Sequence, residues 1–308
     1  MKKVMALLVS SAMVLSLSAC GGSATKETTA AAPAVTESTA TETAAGETAA
    51  GDSTAETAAE AALTGRLAAI KAAGVLKVAT SPDYPPYEFE DLSKSGQDKY
   101  VGADMVLAKY IADKLGVALQ IDAMAFDACM AAVSEGRVDI TICGMVPKEE
   151  RRTAMDFTDV YYNDGNQVLV TLKENADNYK TLADFAGKRV AAQNGSLQYD
   201  LTVSQLPDSK CEIITSIPDA VMMLKTGKVD VIALASVAAD NYTANYPELV
   251  ICEPRFEYDS LGVVAGVVKN EPEFVAALNE IVKDVVDSGI YYTWIEEASE
   301  LSNQIQAQ

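Results

Sequence analysis

Two stretches of the chain repeat one another, and this internal repeat constrains the fold more than any other feature of the sequence. ACMAAVSEGRVDITICG (128–144) and AVMMLKTGKVDVIALAS (220–236) share the order helix, glycine, basic residue, Val-Asp and hydrophobic strand. A helix that ends at a glycine before a buried strand is common in α/β proteins, so a single pair of copies is weak evidence. The repeat gains weight because much of the chain alternates in the same way.

This alternation predicts an α/β fold with two sheets. Strand patterns cover residues 76–80, 117–124, 188–192 and 211–215, and a helix pattern covers residues 104–115 between the first two. Strands that alternate with helices form mainly parallel sheets. In such sheets ligands bind beyond the carboxyl ends of the strands, which is where a binding site is expected.

Composition excludes several classes of function. The chain of 308 residues has 44 acidic and 24 basic residues, a formal charge of -20 and no histidine. Binding to a nucleic acid needs a basic face, which this composition argues against. The absence of histidine excludes Ser-His-Asp and Cys-His catalysis and the commonest zinc sites. No phosphate-binding glycine motif occurs, and neither a metal nor another cofactor is expected.

The N-terminal segment has the features of a targeting signal. Lys2 and Lys3 precede an apolar run that is too short and interrupted to span a bilayer, and the run ends in Leu-Ser-Ala-Cys at residues 17–20. This ending resembles a bacterial lipobox, which implies removal of residues 1–19 and a lipid on Cys20. An ordinary secretory peptide is the alternative. Residues 20–62, rich in Ala, Thr and Glu, predict a disordered tether. We therefore expect an extracytoplasmic protein anchored to the cell membrane.

An arginine occurs just beyond the predicted strand at residues 138–143. The sequence CGMVPKEER (143–151) places Arg151 on a predicted first helical turn. The planar guanidinium can hold a carboxylate through two parallel hydrogen bonds, which indicates an anionic ligand group. The alternative is a surface ion pair with Glu149 or Glu150, which would carry no function.

Several motifs in order give the chain a family resemblance. They are GVLKVATSPDYPPYEF, FDACMAAVSEGRVDITICGMVPKEERR, MDFTDVYY, LADFAGKRVAAQNGSLQ and the C-terminal LGVVAGVVKNEPEFVAALNEIVKDVVDSGIYYTWIEE. With these motifs, residues 74–295 resemble the bacterial extracellular solute-binding proteins of family 3. The resemblance implies the type II periplasmic-binding-protein fold, with one lobe of residues 63–165 plus 258–308 and another of residues 166–257. Each lobe would be a mostly parallel sheet flanked by helices, and two crossover strands near 165–170 and 258–264 would form the hinge.

The same resemblance implies the ligand-binding residues. Two aromatic side chains would sandwich the ligand, a first-lobe loop would line the pocket, Arg151 would bind the α-carboxylate, and a second-lobe helix start would offer backbone amides. In that order these residues are Tyr84 and Phe126; Cys143, Gly144 and Val146; Arg151; and Ser196, Leu197 and Gln198. Core packing is the alternative for Tyr84, which lies in a proline-rich loop, and for Phe126, which begins an apolar helix face.

Two positions depart from the family pattern. Val146 replaces a residue that usually carries a hydroxyl group, and Ala235 replaces the aspartate that usually holds the ligand ammonium. A buried ammonium without an acceptor is costly, so these departures affect the ligand. Either another acid such as Glu88 or Asp240 reaches the site, or the ligand lacks an α-ammonium.

The resemblance predicts a binding protein and not an enzyme. It would act as a monomer that captures a small amino acid-like ligand and delivers it to an ABC permease in the membrane. A receptor for a non-amino carboxylate, a cleft enzyme such as a dehydratase, and a tethered sensor are the alternatives. The enzyme needs an acid in the cleft, and no pair of carboxylates occurs among the predicted cleft residues. Cys211 and Cys252 form either a disulfide or two free thiols.

Overall fold

A computed structural model describes residues 64–163 and 165–306 of the protein. The predicted signal peptide, the lipid site at Cys20 and the tether at residues 20–62 lie outside these residues. Within them the chain forms two five-stranded sheets and one small three-stranded sheet, with helices packed on the large sheets. None of the helices described is both long enough and apolar enough to cross a bilayer.

The strands and helices follow one another in the alternating order that the sequence predicts. The strands are β1 Val75–Thr80, β2 Asp83–Tyr84, β3 Glu88–Glu90, β4 Tyr100–Val101, β5 Ala118–Ala123, β6 Ile140–Thr141, β7 Met155–Phe157, β8 Gln167–Leu172, β9 Arg189–Gln193, β10 Lys210–Ile214, β11 Val231–Ala235, β12 Leu249–Arg255 and β13 Gly266–Val268. The α-helices are α1 Gly65–Ala73, α2 Ala103–Leu115, α3 Phe126–Ser134, α4 Leu197–Gln205, α5 Ile217–Lys225, α6 Ser236–Asn245, α7 Pro272–Ser288 and α8 Ile290–Gln306.

The two large sheets have equivalent topology. The first has the strand order β5-β1-β6-β13-β7 and the second the order β10-β9-β11-β8-β12. In each sheet the fourth strand, β13 or β8, pairs antiparallel with both of its neighbours, while the other pairings are parallel. Each sheet therefore has a single reversed strand. The prediction of two α/β lobes of the type II fold is confirmed, whereas the residue limits of the lobes stay a prediction.

The chain crosses between the lobes twice, and the first crossing lies earlier than the sequence suggests. Residues 158–166 connect β7 to β8, and residues 256–265 connect β12 to β13. Gln167 already pairs with Ala235 in the second sheet, so residues 167–170 belong to that lobe and not to the hinge. An isolated bridge between Tyr162 and Val263 joins the two crossings, which places a short two-stranded connection between the lobes.

The repeated helix–glycine–strand unit forms the same structure in both lobes. Gly136 follows α3 and Gly227 follows α5, both in the left-handed conformation with φ of 69° and 67°. That conformation favours glycine and lets the chain turn back towards the sheet. The helix residues Val133 and Leu224, three positions before each glycine, are fully buried against the sheet.

The aspartate of each Val-Asp pair accepts a backbone hydrogen bond from a neighbouring strand. The Asp139 carboxylate accepts a hydrogen bond from the Lys77 backbone N–H at 2.7 Å and one from Arg66 Nε at 2.6 Å. The Asp230 carboxylate accepts from the Arg189 backbone N–H at 2.8 Å and from the Arg189 guanidinium. The two copies of the repeat therefore share this hydrogen-bonding contact as well as a hydrophobic pattern.

The C-terminal helices complete the first lobe. One face of α7 buries Phe274, Leu278, Val282 and Val285, which recur every three or four residues as an amphipathic helix requires. Burying each such side chain stabilises the fold by about 1.5–3 kcal/mol. Helix α8 packs on α2, and its Tyr291 reaches the region of the candidate site.

The cysteines of the described residues are free thiols. Cys211 is partly exposed and Cys252 is buried, and no disulfide joins them, so of the two alternatives the structure has the free thiols. Burial raises the pKa of Cys252 to about 12, so this thiol stays protonated at neutral pH.

Candidate functional site

A cavity between the two lobes brings the predicted site residues together. Its lining contains all nine of them: Tyr84, Phe126, Cys143, Gly144, Val146, Arg151, Ser196, Leu197 and Gln198. It also contains residues that the sequence interpretation did not assign to the site, namely Tyr87, Glu88, Met145 and Gln193, together with Ala235. The cavity has a volume of about 30 Å³, so the lobes are closed on one another in this structure.

Arg151 lies at the junction of the two lobes. It belongs to a short 3-10 helix, Glu149–Thr153, so the predicted helical turn is of the 3-10 type. Its guanidinium donates to Val146 O at 2.9 Å within the first lobe and to Gly195 O at 2.8 Å on the second lobe. The side chain is buried, and burial lowers the pKa of Arg151, an effect that a bound anion would reverse.

The alternative of a surface ion pair at Arg151 is excluded by the partners of its neighbours. Glu149 pairs with Arg152 at 3.0 Å, and Glu150 pairs with Lys148 at 2.5 Å. Arg151 instead lies with its guanidinium carbon 5.5 Å from the centre of the Phe126 ring. The guanidinium is therefore held by backbone carbonyls and an aromatic ring, with further N–H groups left to bind a ligand.

The two aromatic residues predicted to contact the ligand lie on the first lobe. Phe126 begins α3, and Tyr84 ends the two-residue strand β2. The Tyr84 hydroxyl accepts a hydrogen bond from the Ala235 backbone N–H at 2.9 Å, which links the lobes. Its ring stacks on Tyr87 with a centroid distance of 5.8 Å, so the rings form one apolar side of the cavity.

The loop after β6 has a role that differs in part from the prediction. The Gly144 N–H donates to Asp104 Oδ2 at 2.7 Å, and Val146 O accepts from Arg151, so these backbone groups already have partners inside the protein. Gly144 has φ of 59°, and a Cβ atom there would lie 3.3 Å from the Tyr84 ring. Glycine is therefore required both by backbone conformation and by close packing. The Cys143 thiol contacts Thr141 Oγ1 at 3.4 Å, and the neighbouring Cys129 thiol and burial raise the pKa of Cys143.

The second lobe contributes the start of helix α4. Ser196 is its N-cap, and the Ser196 hydroxyl accepts from the Tyr199 N–H at 3.1 Å. The N–H groups of Leu197 and Gln198 in the first turn have no acceptor within the helix, because helix geometry leaves the first four unpaired. Gln198 Nε2 donates to Gln167 Oε1 at 2.7 Å, which fixes the side chain that lines the cavity. This helix start is suited to bind an anionic group.

Asp83 is a first-lobe residue whose role the sequence interpretation missed. Its carboxylate accepts from the Ile217 N–H at 2.9 Å and from Gln193 Nε2 at 3.1 Å, and its backbone oxygen accepts from the Tyr242 hydroxyl at 2.8 Å. All three donors belong to the second lobe. Burial raises the pKa of Asp83, although these bonds favour its ionised form. Asp83 therefore stabilises the closed arrangement.

Two further polar contacts cross between the lobes near the cavity. Asn194 Nδ2 donates to Asp127 Oδ2 at 2.6 Å, and Lys148 forms an ion pair with Asp200. The sequence carried no signal for these contacts, because they depend on how the lobes close and not on any local pattern.

Ala235, the residue that replaces the aspartate of the family pattern, lines the cavity. Ala235 is buried at the end of β11, and its methyl side chain offers no acceptor to a ligand. Of the two acids suggested as replacements, Glu88 lines the cavity and Asp240 does not. The acid and the base of the described lining are Glu88 and Arg151.

Comparison with known proteins agrees with this fold. Residues 76–297 match the profile of the bacterial extracellular solute-binding proteins, family 3. The chain is 29% identical over 219 residues to the arginine-binding extracellular protein ArtP of Bacillus subtilis, covering 70% of this chain and 82% of that protein. It is 29% identical over 236 residues to the L-cystine-binding protein TcyA of the same organism, covering 75% and 84%.

Solved structures show the same similarity. The amino acid ABC transporter substrate-binding protein AbpA of Streptococcus pneumoniae, bound to L-arginine, matches with a TM-score of 0.72 and 31% identity over 76% of this chain and 98% of that one. The ancestral amino-acid-binding protein AncCDT-1, a precursor of cyclohexadienyl dehydratase, matches with a TM-score of 0.68 and 27% identity over 75% and 98%. The profile match covers most of the chain, and the resemblance seen in its motifs is confirmed. The chain belongs to the bacterial extracellular solute-binding proteins, family 3.

Proposed function

We propose that this protein captures an amino acid between its two lobes and delivers it to the permease of an ABC importer. The observation that carries the proposal is the cavity in which Arg151, two aromatic rings and a helix start from the opposite lobe converge. The relatives named for arginine and cystine binding, and the neighbour solved with L-arginine, support an amino acid as the ligand class.

The α-carboxylate of the ligand binds to Arg151 and to the start of α4. The guanidinium can donate two parallel charge-assisted hydrogen bonds, and each hydrogen bond to a charged group contributes about 1.5–3 kcal/mol. The N–H groups of Leu197 and Gln198 and the positive end of the helix dipole favour the same negative charge. Because Arg151 and α4 belong to opposite lobes, a carboxylate held by both draws the lobes together.

Entry of the ligand requires the lobes to separate. A cavity of about 30 Å³ holds two or three water molecules at most, which is less than an amino acid needs. Separation breaks the contacts that Tyr84, Asp83, Asp127 and Lys148 make across the cleft. The two crossings at residues 158–166 and 256–265 are where the backbone can absorb this motion, as in hinge closure around a ligand.

The targeting signal predicted from residues 1–20 supports binding at the cell surface. A lipid on Cys20 would anchor the protein, and residues 20–62 would let the folded lobes reach the permease. One chain contains the entire candidate site, so we propose that the protein acts as a monomer.

A second candidate function is a cleft enzyme, and one observation favours it. The sequence interpretation counted no acid pair in the cleft, yet Glu88 lines the cavity and the pKa of its carboxyl is raised well above the ordinary range by burial and by the Asp104 charge. A buried carboxylic acid can donate a proton to a leaving group. The similarity to AncCDT-1 suggests a dehydratase. Conversion of prephenate by the purified protein, followed by absorbance of the aromatic product, would establish this alternative.

A ligand screen tests the leading proposal. Residues 63–308 are melted with each common amino acid and with its 2-keto or des-amino analogue. A ligand at one hundred times its dissociation constant adds about 2.7 kcal/mol, which raises the midpoint by roughly 5–10 °C for a domain of this size. We expect at least one amino acid to produce such a shift. Shifts from the analogues alone would show a receptor for a non-amino carboxylate, and no shift from either series would contradict the proposal.

A further inference from the structure

The first lobe contains two buried cysteines whose side chains are in contact. Cys129 lies on α3, which packs on β6, and Cys143 follows β6 by two residues. Both belong to one hydrophobic cluster, and their exposed fractions are 0% and 2%. The Cys129 thiol is the largest cause that raises the pKa of Cys143, as its closeness requires. The proposed binding of the α-carboxylate uses neither thiol.

The two thiols differ in their access to the cavity. Cys143 is part of the cavity lining, whereas Cys129 is not. A reagent in the cavity therefore meets Cys143 first, and the Cys129 thiol is the group beside it that can react next. An exposed thiol with a second thiol next to it is the arrangement that converts an oxidised cysteine into a disulfide.

The closed cleft protects this pair from oxidation. A cavity of about 30 Å³ is too small for a disulfide-bonded molecule, so an oxidant reaches Cys143 only when the lobes separate. The thiolate is the nucleophile in such reactions, and the raised pKa of Cys143 keeps most of it protonated at neutral pH. The pair therefore stays as two thiols until an oxidant enters the open cleft.

We propose that Cys143 and Cys129 are a redox-active dithiol, which a small disulfide entering the open cleft oxidises to an intramolecular disulfide that weakens ligand binding. The Cys143 sulfur attacks the small disulfide RSSR, forming Cys143–S–S–R and releasing one RSH. The Cys129 sulfur then attacks the Cys143 sulfur, forming the bond between the two cysteines and releasing a second RSH. The two thiol protons leave with the two RSH molecules, so the small disulfide is reduced as the pair is oxidised.

The new bond would displace the loop that holds Arg151. A disulfide brings its sulfur atoms to about 2.05 Å, which is closer than two thiols in contact. Next to Cys143, the Gly144 N–H donates to Asp104 at 2.7 Å. Two residues further along, the Val146 carbonyl accepts from the Arg151 guanidinium at 2.9 Å. The weakening of ligand binding rests on the proposed function, whereas the formation of the disulfide does not.

Tryptic digestion separates the two cysteines, so their bond can be measured directly. Trypsin cleaves after Arg137, which puts Cys129 in the peptide of residues 115–137 and Cys143 in the peptide of residues 138–148. The protein is incubated with L-cystine or with 2-hydroxyethyl disulfide, its remaining thiols are alkylated in denaturant, and the unreduced digest is analysed by mass spectrometry. L-cystine has the α-carboxylates of an amino acid and the other probe has none. Their relative rates therefore show whether the oxidant reacts as a bound ligand or directly from solution.

Two variants assign the steps. Cys129→Ala removes the second thiol, and Cys252→Ala is the matched control, because Cys252 is equally buried but lies on β12, outside the cavity lining. We expect the wild type and Cys252→Ala to give the two peptides linked by a disulfide, and Cys129→Ala to stop with half of the probe attached to Cys143. The oxidised wild type should bind its amino acid about tenfold more weakly, because binding groups must be held within about 0.5 Å of their productive positions. Dithiothreitol should restore the affinity.

Absence of the linked peptides from the wild type after treatment with both probes would overturn the inference, as would a bond from Cys143 to a cysteine other than Cys129. If Cys129→Ala does not fold, the wild-type digest decides alone. Linked peptides together with an affinity within twofold of the reduced protein would remove the control of binding. Failure of the reduced wild type to bind any amino acid would contradict the proposed function, and the digest would still test the disulfide.

Discussion

The two lobes line the same cavity with different chemistry. The described first-lobe lining contains an acid, Glu88, and a base, Arg151, together with the rings of Tyr84 and Phe126. The second lobe contributes neutral groups, namely Gln193, Ser196, Leu197, Gln198 and Ala235. The ionisable acid and base of the described lining therefore lie on the first lobe, and its neutral polar groups lie mainly on the second.

The contacts that close the cleft show the same asymmetry. The first lobe reaches across with the carboxylates of Asp83 and Asp127 and the guanidinium of Arg151. Their partners on the second lobe are the Ile217 N–H, the Asn194 amide and the Gly195 carbonyl. An exception is the ion pair between Lys148 and Asp200, in which both lobes contribute a charge.

The largest expected effect follows from removing the first-lobe cation. Arg151→Ala should weaken amino acid binding by about 100-fold or more, because truncating one partner of a buried charge pair costs about 2–5 kcal/mol. Arg152→Ala is the control, since Arg152 is half exposed and pairs with Glu149 at the surface. Calorimetric titration with the ligand found by screening measures both. Binding by Arg151→Ala within about tenfold of the wild type would show that the second lobe recognises the carboxylate by itself.

The repeated aspartates test whether equal sequence means equal stabilisation in the two lobes. The Asp139 side chain is 7% exposed and that of Asp230 is 27% exposed, although both accept a backbone hydrogen bond from a strand and pair with an arginine. We expect Asp139→Asn to lower the free energy of unfolding by about 2 kcal/mol and Asp230→Asn by about 1 kcal/mol, because burial strengthens charged hydrogen bonds. Urea denaturation of the two variants measures the difference. Equal losses would show that burial does not distinguish the copies.

Asp83 tests the contacts across the cleft separately from ligand recognition. Asp83→Asn keeps one acceptor oxygen but loses the charge that holds Gln193 and the Ile217 N–H, so closure should weaken. We expect about tenfold weaker ligand binding, from the loss of roughly one charged hydrogen bond, with little change in the melting temperature of the free protein. Asp98→Asn, an exposed acid outside the cavity, should bind as the wild type does. Small-angle scattering of both variants with and without ligand reports closure directly.

The smallest effect is a pH dependence that belongs to the second lobe. Hydrogen bonds from Arg189 lower the pKa of Asp230 below its ordinary value of about 3.9. The ionised form is thus favoured in the folded state, so its stabilisation is present above pH 4 and is lost as the pH falls through the lowered pKa. Asp230→Asn should lose less stability than the wild type between pH 5 and pH 3, as measured by urea denaturation. An unchanged acid dependence would show that other groups determine it.

The sequence predicts the fold well because the fold depends on local periodicity. The alternating strand and helix patterns, with a glycine repeated at the same place in each copy, predict both lobes. The family motifs predict nine residues that line one cavity. The predicted strand at residues 138–143 is shorter in the structure, where pairing covers Ile140–Thr141, because the chain leaves the sheet to form the loop at Gly144. The helical turn at Arg151 is a 3-10 turn, whose short length no periodic pattern reveals.

The residues that were missed depend on contacts between distant segments. Asp83 binds groups 110 and 134 positions away, and these meet only across the closed cleft. No local pattern separates Glu88 from Asp240, which was named beside it as a possible acid: in the strand Glu88–Glu90, alternation only puts Glu88 and Glu90 on the face opposite Phe89. Which of the two enters the cavity depends on the packing of β3 beside α2. The assigned role of Gly144 also failed in part, because its N–H serves Asp104.

The contact between Asp83 and the Ile217 N–H makes the Ile217 amide a reporter of cleft opening. Helix α5 begins after Ser216, whose own side chain makes no capping bond, so the carboxylate that caps this helix belongs to the other lobe. Each time the cleft opens, the helix loses its cap and the Ile217 amide meets water. When the cleft recloses faster than the amide exchanges, hydrogen–deuterium exchange at that single amide reports the fraction of molecules with an open cleft, and its slowing by a ligand would report how far binding lowers that fraction.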